Sequence, residues 1–350
     1  MRLARRPLLP SSLFRHSFSP NMVYANYPKL MENPPLVGVI GGSGLYKLDN
    51  FTIQQTIDVD TPWGKPSSPI TIATLSRPDQ PGQDVSVAFI ARHSPTHSIM
   101  PSHVPARANI AALKHLGVQA IVAFSAVGSL REEVRPGDLV VPDQIIDRTK
   151  GIRPSTFFDS SLVGHAMFGE PFSVALSQFL VPHIEAAIDS FSSNVQDGDS
   201  KPRLHSEKTL IVMEGPQFST RAESNVYRMW GGDIINMSTI PEAKLAREAE
   251  LNYALVCTST DYDAWRIGHA PVTVEEVMKI LSSNASLSKH ITAEILGKVH
   301  DALSNGEIES ARGGMKWSLM TRHDFVKQED LDKYRYILPE YFGEEGEAKN

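Results

Sequence analysis

Leu210-Ile-Val-Met-Glu214-Gly-Pro-Gln-Phe218-Ser219-Thr-Arg221, Asp233-Ile-Ile-Asn236-Met237-Ser238-Thr239 and Ala254-Leu-Val-Cys-Thr258-Ser259-Thr260-Asp261-Tyr262-Asp263 are three apolar runs, each ending in a polar cluster. Each reads as a strand. Ligands of open α/β sheets bind outside the carboxyl ends of the strands. Three successive strand ends carrying acids, hydroxyls, an aromatic ring and a methionine therefore predict one built site.

Working outward, Leu36-Val-Gly-Val-Ile reads as a buried strand running into Gly41-Gly42-Ser43-Gly44, and Val85–Ala91 as a strand ending at Arg92-His93. A helix is expected from Pro105 to about His115, with Pro in its first turn and Gly117 past its end. Ala120–Phe124 is a strand ending in Ser125-Ala126, and Asp138–Ile146 reads as one further strand. Helices are expected from Ser173 to about Ser190, from Thr273 onward, with Glu275 and Glu276 in the first turn, and from about Leu287 to Ser304. Strands alternating with helices imply an α/β fold: one domain with a central mixed, largely parallel sheet flanked by helices. It spans 36–310. Residues 1–35 read as a basic, disordered N-terminal extension, 192–206 as a surface insertion and 311–350 as a solvated, partly disordered C-terminal tail.

The 350 residues are 41% hydrophobic and 21% charged, a globular composition. A net charge of -6 gives no basic footprint for nucleic acid. No apolar run approaches the ~20 residues of a membrane-spanning helix. The one cysteine, Cys257, excludes a disulfide framework and suits a reducing compartment. The expected location is the cytoplasm, with the nucleus also open. Arg2, Arg5, Arg6 and Arg15 with no acid before Glu32 would suit a mitochondrial transit peptide. An extension ahead of a later start at Met22 or Met31 is preferred, because four prolines interrupt any helix there.

The glycines at 41–44 match neither the dinucleotide fingerprint nor the P-loop, which leaves a tight turn with Ser43 and free N–H groups that reads equally as a phosphate contact or as a plain strand-to-loop turn. His93, His97 and His103 do not make a metal site: Pro95 separates the first two and no zinc-binding H-E-x-x-H occurs. No G-x-S-x-G elbow supports a hydrolase triad.

Gly42-Ser43-Gly44, Arg92-His93 and Ser125-Ala126 together supply a cation, an imidazole, hydroxyls and backbone donors, the groups that hold inorganic phosphate. Phe218, Met237, Val274 and Val277 offer stacking and apolar contact for a flat ring and a thioether or sugar. Singly, Phe218 and Met237 are equally well core residues, and Asp261 or Asp263 a turn or cap. Asp261 and Asp263, two apart, both reach one ring edge only if the strand ends there and twists. A neutral acid donates to a ring nitrogen and an ionised one accepts from an exocyclic amine, so one raised and one ordinary pKa is the expected division.

Val-Ile-Gly-Gly-Ser43-Gly, Asp60-Thr-Pro-Trp-Gly-Lys-Pro, Ala-Arg92-His93, Met100-Pro-Ser, Ala126-Val-Gly-Ser-Leu-Arg-Glu, Asp147-Arg-Thr, Glu214-Gly-Pro-Gln-Phe218-Ser219-Thr-Arg221-Ala-Glu, Asn236-Met237-Ser238 and Thr260-Asp261-Tyr-Asp263 occur in order across about 36–305. Together they resemble the trimeric purine nucleoside phosphorylase family. The resemblance implies phosphorolysis of methylthioadenosine to adenine and methylthioribose 1-phosphate, with phosphate as co-substrate and no cofactor. A broader activity on adenosine or inosine is the alternative, and a non-catalytic nucleoside binder the competing class.

Carried over, the resemblance places phosphate on Ser43, Arg92, His93, Ser125, Ala126 and Ser238. Many relatives have Thr where the three serines stand. It places Met237 against the ribose and Phe218 and Ser219 at the base. Asp261 faces N7, Asp263 the 6-amino group, and Val274 and Val277 the methylthio group. Asp261, Asp263 and Ser238 are the implied catalytic set. His165 is implied to reach a neighbouring site in a homotrimer.

Overall fold

The computed structural model describes residues 34–42, 50–77, 80–193, 201–266 and 273–343. Ser43 and residues 1–33 lie outside them. Among the described residues eleven strands form one mixed sheet. Its centre is β1 (Val37–Gly41), β4 (Val85–Ala91), β5 (Ala120–Ser129) and β11 (Asn252–Asp261). β1 pairs in parallel with β4 and β5, and β5 in parallel with β11. β9 (Thr209–Val212) and β10 (Ile234–Asn236) pair in parallel, and β10 meets the far end of β5 antiparallel. The expected central, largely parallel sheet is present, and the carboxyl ends of β1, β4, β5, β10 and β11 meet in one edge region, whereas β6 runs antiparallel to β11.

Both faces are covered, as a mostly parallel sheet requires. Ile40, Ile90 and Ile121 face α1 (Ala106–His115) and α4 (Thr239–Glu248). Val39, Val87, Val122 and Val256 face α2 (Val174–Ser192) and α6 (Ala285–Ser304). The start signals work as read. Ser173 accepts from the Leu176 N–H, Thr273 from the Glu276 N–H at the start of α5 (Val274–Ser283), and Gly117 takes φ +96° past α1.

Several readings change. The single strand expected over 138–146 is two, β6 (Leu139–Val141) and β7 (Gln144–Asp147), which pair with different neighbours. Pro142, lacking an N–H, falls between them. Within the expected insertion, Leu204–Ser206 form β8 beside β6, and 194–200 lie outside the described residues. The hairpin of β2 (Phe51–Ile57) and β3 (Ile70–Leu75) at the sheet edge, and α3 (Arg221–Met229), were not foreseen.

The largest correction is the tail. Over 311–343 the chain is packed, with α7 (Gln328–Ile337) and α8 (Pro339–Phe342) joined to the main core. Met315, Tyr334, Ile337, Leu338 and Phe342 are buried, and the Tyr334 ring meets Phe158 edge-on. The buried Glu250 carboxylate accepts from the Met315 N–H at 2.7 Å and the Tyr341 hydroxyl at 2.6 Å. Each such apolar side chain is worth about 1.5–3 kcal/mol of burial, so together they rival the ~5–15 kcal/mol that holds a domain folded. A chain ending at residue 310 is expected to aggregate or to lose its cooperative thermal transition in circular dichroism. A soluble truncation unfolding at the full-length temperature would refute that.

Candidate functional site

A cavity of about 500 Å³ opens at the carboxyl ends of β1, β4, β5, β10 and β11. Gly42, Arg92, His93, Ser125, Ala126 and Ser238 line one part of it; Phe218, Met237, Asp261, Asp263, Val274 and Val277 line the rest. Of the residues singled out from sequence, Ser43 is outside the described residues, and Ser219 and His165 are not in the wall.

The Arg92 guanidinium is buried and committed. Its Nε and Nη2 donate to the two Glu242 oxygens at 2.5 and 3.1 Å, and Nη1 donates to the Phe124 carbonyl at 2.7 Å. The Tyr253 hydroxyl donates to the same carboxylate at 2.9 Å. Arg92 thus presents its edge to the cavity with its charge already balanced. Glu242 was missed by sequence reasoning; its only signal is one acid inside the apolar stretch Ile240-Pro-Glu-Ala-Lys-Leu-Ala.

His93 Nδ1 lies 2.8 Å from the Ile99 carbonyl, which assigns the proton to that nitrogen. Burial lowers the imidazole pKa against that hydrogen bond, and Arg92 adds to the lowering. Ser125 and Ser238 hydroxyls are 3.0 Å apart, and the Asn236 amide donates to them at 3.1 and 3.3 Å. Asn236 therefore fixes two hydroxyls at one point, one from β5 and one from the start of α4. These groups form a small polar cradle suited to a tetrahedral oxyanion.

Beyond the cradle the wall turns apolar. Met237 lies so close to Gly215 that a side chain there would collide with its sulfur, and Gly215 also holds φ +63°. Phe218 is 41% exposed, Val274 67% and Met278 56%, so the cavity is open along α5. Ser219 sits behind this wall, its hydroxyl donating to Met213 Sδ at 3.5 Å. Its side chain also helps to hold the Asp263 carboxyl down against the raising effect of burial.

The two acids sit at a break in the ladder. Ser259 pairs with Val127 and Asp261 with Gly128, leaving Thr260 as an extra residue. Such a bulge twists a strand and re-aims its side chains. The strand ends there, and Asp263 turns with φ +46°, its N–H donating to Asp261 Oδ1 at 2.8 Å. This is the twist that two acids spaced by two need to share one ring edge. Gly128 makes room: a Cβ there would lie 3.0 Å from Asp261 Oδ1. Burial raises both carboxyls, Asp261 against bonds from Thr260 and Asp263, and Asp263 to about 6. The expected pairing of one raised and one ordinary acid is corrected, because both are desolvated together.

His165 is on a separate surface segment. Its N–H donates to the Ser318 carbonyl at 2.8 Å, and the Met320 N–H donates to the Val163 carbonyl at 2.9 Å. Among the described residues no cluster of three or more His, Cys, Asp or Glu is placed to hold a metal. No described helix is long and apolar enough to cross a membrane.

The profile of the phosphorylase superfamily matches residues 36–297. The chain is 55% identical over 309 residues to S-methyl-5'-thioadenosine phosphorylase 1 of Puccinia graminis f. sp. tritici, covering 88% of this chain and 98% of that one. It is 50% identical to S-methyl-5'-thioadenosine phosphorylase of Coprinopsis cinerea, covering 89% and 99%. Among solved structures it resembles a methylthioadenosine phosphorylase from an Antarctic soil metagenomic library, with TM-score 0.77, 37% identity and 88% and 100% coverage. The Schistosoma mansoni methylthioadenosine phosphorylase with adenine bound gives TM-score 0.70, 33% identity and 83% and 99% coverage.

Breaking a buried ion pair leaves an uncompensated charge and costs about 3–5 kcal/mol. Glu242→Gln should accordingly lower the thermal unfolding temperature. Added phosphate should raise that temperature more in the variant than in the parent, because the anion supplies the missing countercharge at Arg92. Equal shifts in both proteins would mean that phosphate does not meet this guanidinium.

Proposed function

The chain belongs to the phosphorylase superfamily, and we propose that it catalyses the reversible phosphorolysis of S-methyl-5'-thioadenosine to adenine and S-methyl-5-thio-α-D-ribose 1-phosphate. The observation that carries this is one cavity holding an oxyanion cradle, an apolar wall and two desolvated acids in series. The order matches the substrate: phosphate, then sugar with an apolar 5' group, then base. The names of the similar proteins do not favour the broader purine nucleoside alternative. The reaction belongs to methionine and purine salvage.

Phosphate is held by Arg92, His93, Ser125, Ala126 and Ser238, and by Ser43 as the sequence implies. It attacks C1' on the face opposite the base as the C1'–N9 bond breaks, and its charge stabilises the cationic sugar. Met237 bounds the ribose, and Phe218, backed by Ser219, bounds the base. Asp261 gives its proton to N7, so adenine leaves neutral. Asp263, ionised above about 6, accepts from the 6-amino group. Val274 and Val277 face the methylthio group, and no cofactor is needed.

The assembly is a homotrimer. Next to His165 the surface exposes Met167 at 72%, Trp317 at 87% and Met320 at 66%, an apolar patch of the kind that marks an interface. It suits the open apolar mouth at Phe218, Val274 and Met278. Two different patches that fit each other make a head-to-tail contact, which closes into a ring when the rotation allows. His165 then covers the 5' side of the neighbour's site. We place the enzyme in the cytoplasm and nucleus, in keeping with its single buried cysteine.

Adenine release from methylthioadenosine should require phosphate, and Asp261→Asn should lower turnover by ~10²–10⁴. Phosphate-independent release, or near-normal turnover in the variant, would defeat the assignment. The ring has its own test. Mixing His165→Ala and Asp261→Asn chains under conditions that exchange subunits should restore activity, with about one site in four receiving both intact residues. No recovery would place His165 outside the active site.

A further inference from the structure

Thr260 is the residue squeezed out of register where β11 meets β5. Its side chain is buried, 3% exposed, and lines the cavity beside Asp261. Its hydroxyl lies 2.7 Å from Asp261 Oδ2 and 3.2 Å from the Val127 carbonyl. A hydroxyl has one hydrogen and two lone pairs. It therefore donates to only one of these oxygens at a time, and both are in reach.

We propose that Thr260 is a positioning residue whose hydroxyl switches partners as the proton leaves Asp261. While Asp261 carries its proton on Oδ2, the Thr260 hydrogen points to the Val127 carbonyl. When that proton passes to N7, Oδ2 becomes an anionic acceptor and the Thr260 hydrogen swings onto it. Asp261 Oδ1 is held throughout by the Asp263 N–H at 2.8 Å. Both oxygens of the carboxylate are then satisfied at the moment the base leaves, inside a pocket where an unpaired charge is costly. No atom of Thr260 is transferred. Only its O–H bond rotates, and the proton given to N7 is the one Asp261 brought.

The bulge is what makes this available. In an unbroken ladder residues 259 to 261 would alternate between the two faces of the sheet, and the hydroxyl would not stand between a main-chain carbonyl of β5 and the acid that follows it. Gly128, directly opposite Asp261, keeps the carboxylate close enough to be reached.

The inference rests on Asp261 acting as the general acid, so the test separates the two. Thr260→Val removes the hydroxyl and keeps the branched shape; Thr260→Ala is the second variant should the first fold poorly; Thr260→Ser keeps the hydroxyl. Each is assayed with methylthioadenosine and with the 4-nitrophenyl glycoside of 5-methylthioribose, whose leaving phenolate needs no proton. Thr260→Val should lower kcat on methylthioadenosine roughly tenfold to a hundredfold. It should leave the KM for phosphate and the rate on the nitrophenyl glycoside near the parent's. Losing a donor to the carboxylate favours its protonated form, so the limb where kcat falls with rising pH should move to higher pH. Thr260→Ser should restore both the rate and the limb.

Equal losses on the two substrates, or an unmoved limb, would reduce Thr260 to a packing residue. Asp261→Asn is run alongside. If it lowers turnover of methylthioadenosine while Thr260→Val keeps the parent's rate, the switch is wrong and the acid stands. If it turns over normally, the acid assignment falls and the switch with it.

Discussion

The buried Arg92–Glu242 pair is the constraint on which the rest of the site depends. One guanidinium at the end of β4 reaches the carboxylate of α4, the carbonyl of Phe124 in β5 and, more distantly at 3.5 Å, that of Ile40 in β1. Three strands and a helix are thereby tied at the edge where the cavity opens. A buried pair is weak evidence for stability, since desolvating two charges offsets much of their attraction. Its value here is positional: the phosphate cradle is assembled from ends that a common cation holds in register. With the Arg92 charge already balanced by Glu242, the proposed oxyanion binding is shared between the guanidinium, the hydroxyls that the Asn236 amide aims, and an imidazole whose pKa burial lowers.

Most of the cavity wall could be read from the chain, because short apolar runs followed by polar clusters are a local signal. Asp261 and Asp263, Phe218, Met237, Arg92 and His93 stand where such runs end. Glu242 could not be read that way, because its partner is 150 residues upstream and nothing adjacent marks it. Thr260 was visible as a residue but not as a bulge, since register is set between strands. β2 escaped notice because most of its side chains are exposed and it carries little apolar pattern. The C-terminal helices escaped because their tyrosines and charged residues resemble a solvated tail; only the face of α1 and the buried Glu250 reveal where those rings go.

The two carboxyls show how a single backbone irregularity sets chemistry. The bulge at Thr260 and the left-handed turn at Asp263 bring them to one edge, and their shared burial raises both. Their roles are then divided by hydrogen bonding. Asp261 is fixed through both oxygens, which suits the proton-donor role proposed for it. Asp263 is held down only modestly and is largely ionised near neutrality.

The short ladder between 163–165 and 318–320 joins the segment bearing His165 to a stretch near the end of the chain. Translation delivers β1 through β11 well before residue 318 emerges. A nascent chain can therefore build its catalytic strands before the segment paired with 163–165 is made. In the proposed ring, association would wait for that segment, which would keep a half-made polypeptide from joining finished subunits.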